Sequence, residues 1–206
     1  MKTLLQINSS LYAHDGQSSR LAARFVELWR AANPGATVLR RDLAREPVPH
    51  LDAQRFGAFL AKEEARDAAQ KDVVAYSDLL IGELKRADVI VLGLPMYNFG
   101  VPSMLKAYFD HVARAGVTFR YTDKGPVGLL GGKQAYVFAA RGGLYAGTPA
   151  DTQTAYVRAF LRFLGIEDVE FVYAEGLAIG DTSRNGALAR AQSEIERIAG
   201  AFALAA

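Results

Sequence analysis

The sequence is organised around one apolar run that leads into a proline-bounded loop. Residues 89–94 read Val-Ile-Val-Leu-Gly-Leu, and the chain then passes through Pro95–Pro102 before a helical pattern begins at Ser103. A short apolar run without polar alternation predicts a strand that is buried on both faces, as in a parallel sheet. Ligands of open α/β sheets bind at the carboxyl ends of such strands, so this loop is a candidate site. An ordinary strand-to-helix connection is the simpler alternative.

Further strands and helices alternate along the chain, which favours an α/β fold with a parallel sheet and right-handed crossovers. Five strands suit the doubly wound, flavodoxin-like order 2-1-3-4-5, with helices on both faces. At this length we expect one domain over 1–206. Strands are predicted at 3–7, 36–39, 89–94, 135–140 and 169–173.

Local signals place several boundaries. Ser18 or Ser19 can cap the first helix. The alanine-rich segment 51–86 is expected to form two helices with a break near 70–72. After the central helix, segment 117–121 alternates like a strand, and Gly125-Pro126 is expected to be a turn. This excursion is too long for a simple connection, so we expect it to shape the site.

Charge and composition exclude several classes of function. The net charge is +2 with both signs intermixed, so nothing indicates nucleic acid or an acidic membrane surface. Arg40-Arg41 stands among acidic residues and is expected to lie on a solvated face. The chain has no cysteine, which excludes disulfides, thiolate metal sites and a cysteine nucleophile. The three histidines lack partners at metal-ligand spacing, so no metal is expected and His111 is expected to be structural.

The first residues form too short an apolar run for a signal peptide, because polar residues interrupt it at Asn8-Ser9-Ser10. No apolar run approaches the length needed to span a bilayer. We therefore expect a cytoplasmic protein.

The loop after the first strand suits a phosphate. It offers the hydroxyls of Ser9, Ser10, Ser18 and Ser19, the amide of Gln17 and the flexible Gly16, all just before a helix. Free backbone N–H groups and the helix dipole at that point attract an anion. The loop has no lysine and no Walker pattern, so a mononucleotide cofactor fits better than a nucleoside triphosphate. A serine-rich loop that merely caps a helix is the alternative.

Two other loops reach the same edge of the predicted sheet. In the central loop, Tyr97 and Phe99 offer aromatic faces and Asn98 offers an amide, which suits something flat and polar. After the fourth strand, Arg141-Gly142-Gly143 is expected to present backbone N–H groups beside a cation. Such donors would stabilise negative charge on an electron-accepting cofactor. A Gly-Gly pair taken alone indicates only a turn.

Together these loops resemble the FMN-dependent NADH:quinone and azo-compound reductases of the flavodoxin-like superfamily, and the resemblance covers essentially the whole chain. The matching segments are Pro95-Met-Tyr-Asn-Phe99, Leu105-Lys-Ala-Tyr-Phe-Asp110, Ala113-Arg-Ala-Gly-Val-Thr-Phe-Arg-Tyr121, Arg141-Gly-Gly143, Phe163-Leu-Gly-Ile166 and Ala174-Glu-Gly176.

The resemblance implies one FMN per subunit. Ser10, Gly16, Gln17 and Ser18 would hold the ribityl phosphate. Met96, Tyr97, Asn98 and Phe99 would line the isoalloxazine ring, and Ala140, Arg141, Gly142 and Gly143 would lie along its pyrimidine end. Gly16 and Ala140 depart from the family pattern, because each replaces a hydroxyl-bearing residue and leaves only backbone donors.

The implied reaction is a ping-pong transfer in which NADH or NADPH reduces the flavin, and a quinone or azo compound then takes two electrons. The flavin carries the chemistry, so no catalytic side chain is assigned. The resemblance also implies a homodimer that completes the substrate slot across its interface. The aromatic side chains expected to wall the slot are Phe119, Tyr121, Tyr145 and Phe163, although the helical spacing of Phe163 from Phe160 is equally typical of a core position.

Three alternatives stay open at this point. One is a flavodoxin-type electron carrier, although such carriers are usually more acidic and lack the excursion over 116–132. Another is an NAD(P)H:FMN reductase. The third is an interaction protein that has lost its flavin, for which positions 16 and 140 are the only support.

Overall fold

The computed structural model describes the backbone of residues 1–204 and the side chains of residues 1–202. The strands are β1 (Thr3–Asn8), β2 (Thr37–Asp42), β3 (Val89–Pro95), β4 (Phe119–Thr122), β5 (Gly125–Gly128), β6 (Gln134–Ala140) and β7 (Asp168–Ala174). The α-helices are α1 (Gln17–Ala32), α2 (Ala53–Leu60), α3 (Ala68–Arg86), α4 (Ser103–Val112), α5 (Thr152–Phe163) and α6 (Asp181–Leu204). Short 3-10 turns lie at Ala13–Asp15 and Glu63–Ala65.

The main sheet has five parallel strands in the order β2-β1-β3-β6-β7. Counted within the sheet, this is the predicted order 2-1-3-4-5. The central strand β3 is buried at every residue, as its continuous apolar sequence indicates. Strands β4 and β5 form a separate antiparallel hairpin.

Helices cover both faces of the sheet. Helices α3, α4 and α5 enclose one core, in which Leu80, Leu105 and Leu161 are buried. Helices α1 and α6 enclose the other core, in which Phe25 packs on Phe138 with ring centroids 5.3 Å apart. Each large apolar side chain buried in this way contributes about 1.5–3 kcal/mol. The paired cores fix the strands and thereby the edge where the loops meet.

Two helix boundaries differ from those predicted. Helix α1 starts at Gln17 after Gly16, so Ser18 and Ser19 lie inside its first turn, and none of the described side chains caps it. The break after α2 falls before Gln70, because Asp67 and Gln70 form a reciprocal capping box at the start of α3. The box satisfies two free N–H groups and makes Gln70 a helical residue.

The hairpin turn also differs from the prediction. Strand β5 already begins at Gly125, and Pro126 pairs with Tyr121, so the turn lies at 123–124. The Thr122 hydroxyl closes it by donating to the Gly125 carbonyl at 2.6 Å. Proline is tolerated here because a two-stranded ribbon consists only of edge strands.

Arg41 is not on a solvated face, contrary to the prediction. Neighbouring strand residues point to opposite sides of a sheet, so Arg40 and Arg41 separate. The Arg41 side chain is buried and pairs with Glu83 and Glu46. Burial disfavours its charge, but the hydrogen bond to Glu83 and the two carboxylates together raise the pKa of Arg41.

We expect Gly128→Ala to destabilise the protein by about 1–3 kcal/mol, the usual cost of overpacking. A methyl group at this position would overlap the backbone nitrogen of Gly165, so the hairpin would move away from the end of α5. Gly57→Ala is the control, because a methyl group there meets no atom within 4 Å. That change lies inside α2 and should stabilise the protein by about 0.5–1 kcal/mol. Equal unfolding free energies for the two variants in urea would contradict this expectation.

Candidate functional site

Strand pairing brings the first and central loops together. The Ser9 hydroxyl donates to the Gly93 carbonyl at 2.7 Å, which ties the end of β1 to β3. The Tyr97 hydroxyl lies 3.4 Å from Ser10 Oγ and accepts the N–H of Leu11 at 3.2 Å. A single phenol therefore joins the predicted phosphate loop to the predicted aromatic loop.

The start of α1 presents free donors. The N–H groups of Gln17, Ser18 and Ser19 have no acceptor among residues 1–204. The hydroxyls of Ser18 and Ser19 are buried and also lack a partner within that range. Buried hydroxyls without partners are costly, so these donors are suited to bind an acceptor group. An oxyanion such as phosphate satisfies donors of this kind at a helix N-terminus.

The central loop contains a strained turn. Tyr97 and Gly100 exchange backbone hydrogen bonds, and the two residues between them, Asn98 and Phe99, have φ values of +48° and +62°. Two successive positive φ values define a type I′ geometry, which is unusual for a bulky residue such as Phe99. The turn exposes the Phe99 ring, 55% of whose surface is accessible. Strain of this kind is concentrated at binding and catalytic sites.

The start of α5 holds that turn in place. The buried Gln153 amide donates to the carbonyls of Pro95 and Gly100, each at 2.9 Å. The Thr152 hydroxyl donates to the Phe99 carbonyl. Sequence reasoning missed both residues, since they lie more than fifty positions away in a separate helix without a recognisable motif.

In the third loop Arg141 lies beside the two glycines as predicted from the sequence order, but its cation is paired within the protein. Its guanidinium is buried, bonds Asp151 at 2.8 Å and Glu175 at 3.0 Å, and lies over the Tyr173 ring. Its backbone N–H donates to the Ala174 carbonyl. The N–H groups of Gly142 and Gly143 have no acceptor among residues 1–204, so these two supply the donors that the loop offers.

The central and third loops also meet through aromatic rings. Phe99 and Tyr145 pack edge to face with centroids 5.6 Å apart. Met96 donates its N–H to the Ala140 carbonyl at 3.0 Å. The structure therefore brings all three predicted loops to one edge of the sheet.

The four predicted slot residues do not converge within one chain. Phe119 packs on Phe163 at 4.2 Å and on Tyr121 at 5.4 Å between ring centroids, and the Phe119 ring is buried. Phe163 is the last residue of α5, whereas Thr152 at its first residue contacts Phe99. A helix of this length spans roughly 18 Å. Only Tyr145 therefore lies beside the three loops of its own chain.

His111 lies in the core, where its Nδ1 is 2.9 Å from the Ala107 carbonyl and burial lowers its pKa. Among residues 1–204 no cluster of three or more His, Asp or Glu side chains is arranged to hold a metal. Over the same range, no helix is both long enough and apolar enough to cross a membrane.

The fold and site together define a flavodoxin-like α/β protein whose strand-end loops combine a donor-rich helix terminus with an aromatic turn. A family model described as "Flavodoxin-like fold" (Flavodoxin_2) matches residues 1–199, and the chain belongs to this family.

Several relatives carry enzyme names. The FMN-dependent NADH:quinone oxidoreductase of Cellvibrio japonicus is 56% identical over 96% of this chain and 98% of its own length. The protein of the same name from Alcanivorax borkumensis is 54% identical over 93% and 97%. A solved FMN-dependent NADH-azoreductase from Bacillus anthracis, in complex with FMN, superposes with a TM-score of 0.89 at 30% identity, over 98% of this chain and all of its own.

We expect Asp151→Asn to reduce the dependence of stability on pH. Burial alone would raise the pKa of Asp151, but hydrogen bonds from Arg141 and Thr154 outweigh it and hold that pKa below 3.8. The stabilisation by this carboxylate is therefore present above about pH 3.8 and is lost as the pH falls through the lowered pKa. At pH 7 the variant should be about 2 kcal/mol less stable, because Arg141 loses one charged partner. The loss is no larger because Glu175 still pairs with Arg141.

The measurement is the unfolding free energy in urea from pH 7 down to pH 3. Asp72→Asn, at an exposed carboxylate on α3, is the control and should keep the wild-type pH profile. Parallel profiles for Asp151→Asn and the wild type would show that the lowered pKa of Asp151 does not contribute to the pH dependence of stability.

Proposed function

We propose that the protein is an FMN-dependent reductase that uses NADH or NADPH to reduce quinones and azo compounds by two electrons. The observation that carries the proposal is the donor-rich start of α1, where two buried hydroxyls have no partner among residues 1–202, beside the strained turn at Asn98 and Phe99. The names of the relatives, which are enzymes of this kind, support it.

The residues present fit the cofactor. Neutral N–H and hydroxyl donors at a helix terminus suit a dianionic phosphate group without a lysine. Gly16 belongs to this cradle, because a methyl group there would overlap the Ser10 hydroxyl. In this proposal the phosphate is held by Ser10, Gly16, Gln17 and Ser18, the ring is lined by Met96, Tyr97, Asn98 and Phe99, and its pyrimidine end lies along Ala140, Arg141, Gly142 and Gly143.

When bound, the flavin supplies hydride acceptance from the nicotinamide and two-electron delivery to the acceptor. The protein binds and orients the reactants. The Gly142 and Gly143 N–H groups are placed to donate hydrogen bonds where negative charge develops. Phe99 and Tyr145 form an apolar wall that excludes water from one side. No side chain acts as a covalent nucleophile, and donor and acceptor use the same flavin face in turn, which gives ping-pong kinetics.

The active form in this proposal is a homodimer. Tyr121 is 74% exposed, and Val127 on the paired strand and Leu129 after it are also exposed apolar side chains. These residues lie at the end of α5 remote from Phe99, so they cannot complete the slot of their own chain. A second copy would cover the exposed apolar side chains of this hairpin and bring Tyr121 and Phe163 toward the first copy's Tyr145.

The test of the cofactor and reaction is a visible spectrum of the purified protein under anaerobic conditions. We expect a yellow protein that bleaches with NADH and recovers its colour with benzoquinone, since the two half-reactions are separate. Double-reciprocal plots should be parallel. A flavodoxin-type carrier would bind FMN but would not oxidise NADH in the steady state.

Ser18→Ala should weaken FMN binding about tenfold, because it removes a hydrogen bond to a charged group. Ser193→Ala, at an exposed serine on α6, is the control and should bind FMN normally. A wild-type protein that remains colourless after incubation with FMN would overturn the proposal.

The test of the dimer is the mass in solution together with one variant. We expect sedimentation at twice the 22.3 kDa chain mass. Tyr121→Ala should raise the quinone KM at least fivefold and leave the FMN dissociation constant unchanged, because the side chain serves the other copy's slot. Leu79→Ala, at another exposed apolar side chain, should leave KM unchanged. A monomer that is fully active would refute the shared slot.

A further inference from the structure

Three charged side chains are buried beneath the loop that runs from Ala140 to Ala146. The side chain of Arg141 is 0% exposed, that of Asp151 7% and that of Glu175 14%. Two carboxylates surround one guanidinium, so the trio carries a net charge of −1 when all three groups are ionised. The proposed mechanism assigns no role to either carboxylate.

Besides its ion pair with Arg141, Glu175 accepts hydrogen bonds from the backbone of the loop. Its Oε1 accepts from Arg141 and from the N–H groups of Tyr145 and Ala146, each at 3.0 Å. Its Oε2 also accepts from Ala146, at 3.2 Å. One carboxylate thus fixes the beginning and the end of the loop.

The residues after Glu175 fix the middle of the loop. The N–H groups of Gly176, Leu177 and Ala178 donate to the carbonyls of Gly143, Arg141 and Gly142 at 2.9 to 3.1 Å. In a trans peptide the N–H points away from the carbonyl of the same unit. The carbonyls of Arg141 and Gly142 face the segment 176–178, so the N–H groups of Gly142 and Gly143 point away from it.

We propose that Glu175 is a positioning residue for the flavin site, acting through Arg141 and the loop to keep the Gly142 and Gly143 donors turned toward the cofactor. The charge of the same trio opposes the build-up of negative charge on the reduced flavin, which makes the reduced cofactor a stronger reductant. The inference rests on the proposed function, but its structural part concerns the protein alone.

The structural part is tested without cofactor, by hydrogen exchange of the apoprotein. Glu175→Gln keeps the shape of the side chain and removes its charge, so the buried guanidinium loses one of its two counterions. We expect the backbone amides of Tyr145 and Ala146 to exchange at least tenfold faster. Glu170→Gln is the matched control, because it removes a carboxylate from β7, the strand that leads to Glu175, at a position where the partner, Arg197, is exposed. The control should leave exchange in the loop unchanged.

The functional part is tested by titrating FMN in its oxidised and reduced forms. Glu175→Gln should weaken binding of the oxidised form severalfold. It should also shift the ratio of the two dissociation constants about tenfold in favour of the reduced form, which is about 30 mV for a two-electron couple, because the loss of a full charge outweighs the looser placement of the donors. Glu175→Asp keeps the charge but shortens the reach, so it should accelerate exchange and shift that ratio against the reduced form, because only the donors are displaced.

Loop exchange at the wild-type rate in Glu175→Gln would overturn the proposal. So would faster exchange with unchanged FMN affinity and an unchanged ratio, because Glu175 would then be only a structural residue. If Glu175→Gln does not fold, Glu175→Asp decides the positioning role by the same exchange measurement. A wild-type protein that binds no FMN refutes the proposed function instead, and the exchange result still decides whether Glu175 holds the loop.

Discussion

The parallel pairing of β1, β3 and β6 is the constraint on which the rest of the structure depends. In register, Asn8 faces Gly93 and Pro95 faces Ala140, so β3 and β6 end at the same level and β1 ends two residues earlier, at the same edge. Parallel strands cannot be joined by tight turns, so each must be followed by a loop and a helix. The three loops therefore share one edge of the sheet, and the two cores above and below keep that edge rigid.

The edge uses two opposite electrostatic arrangements. At the start of α1 the donors are neutral, and the dipole of a 16-residue helix supplies the attraction for an anion. Beneath the third loop, by contrast, full charges are buried and paired with one another. Buried ion pairs add little net stability, but removing one partner is costly, so they favour one arrangement of the loop over its alternatives.

The sequence predicted what depends on pattern and missed what depends on distant contacts. The apolar run at β3 and the alternation of strands with helices were enough to predict the sheet order. The three loops were also found, because each follows a strand. The buried Arg41 was not predicted, since its partner Glu83 lies 42 positions away. The carboxylate of Glu175 was missed for the same reason.

Some predictions from residue type were wrong or incomplete because of the local structure. Serines near a helix start favour a cap, yet Gly16 takes that position and leaves the Ser18 hydroxyl without a partner in the described part of the chain. The aromatic residues at 119, 121 and 163 were grouped with Tyr145, but sequence spacing could not show that they lie at the end of α5 remote from Phe99. Gln153 could have been found only from the unusual turn at Asn98 and Phe99 that it supports, and no sequence motif indicates that turn.

Helix α5 links two regions that the sheet keeps apart. Its first turn donates hydrogen bonds to the carbonyls of Pro95, Phe99 and Gly100. Its last residue, Phe163, packs on Phe119 of the β4–β5 hairpin. A packed helix moves as a rigid rod, because its backbone bonds resist bending and its neighbours leave few voids. A tilt imposed at Phe163 would therefore displace the anchor points of the Asn98–Phe99 turn, so α5 couples the position of the hairpin end to that of the edge where the three loops meet.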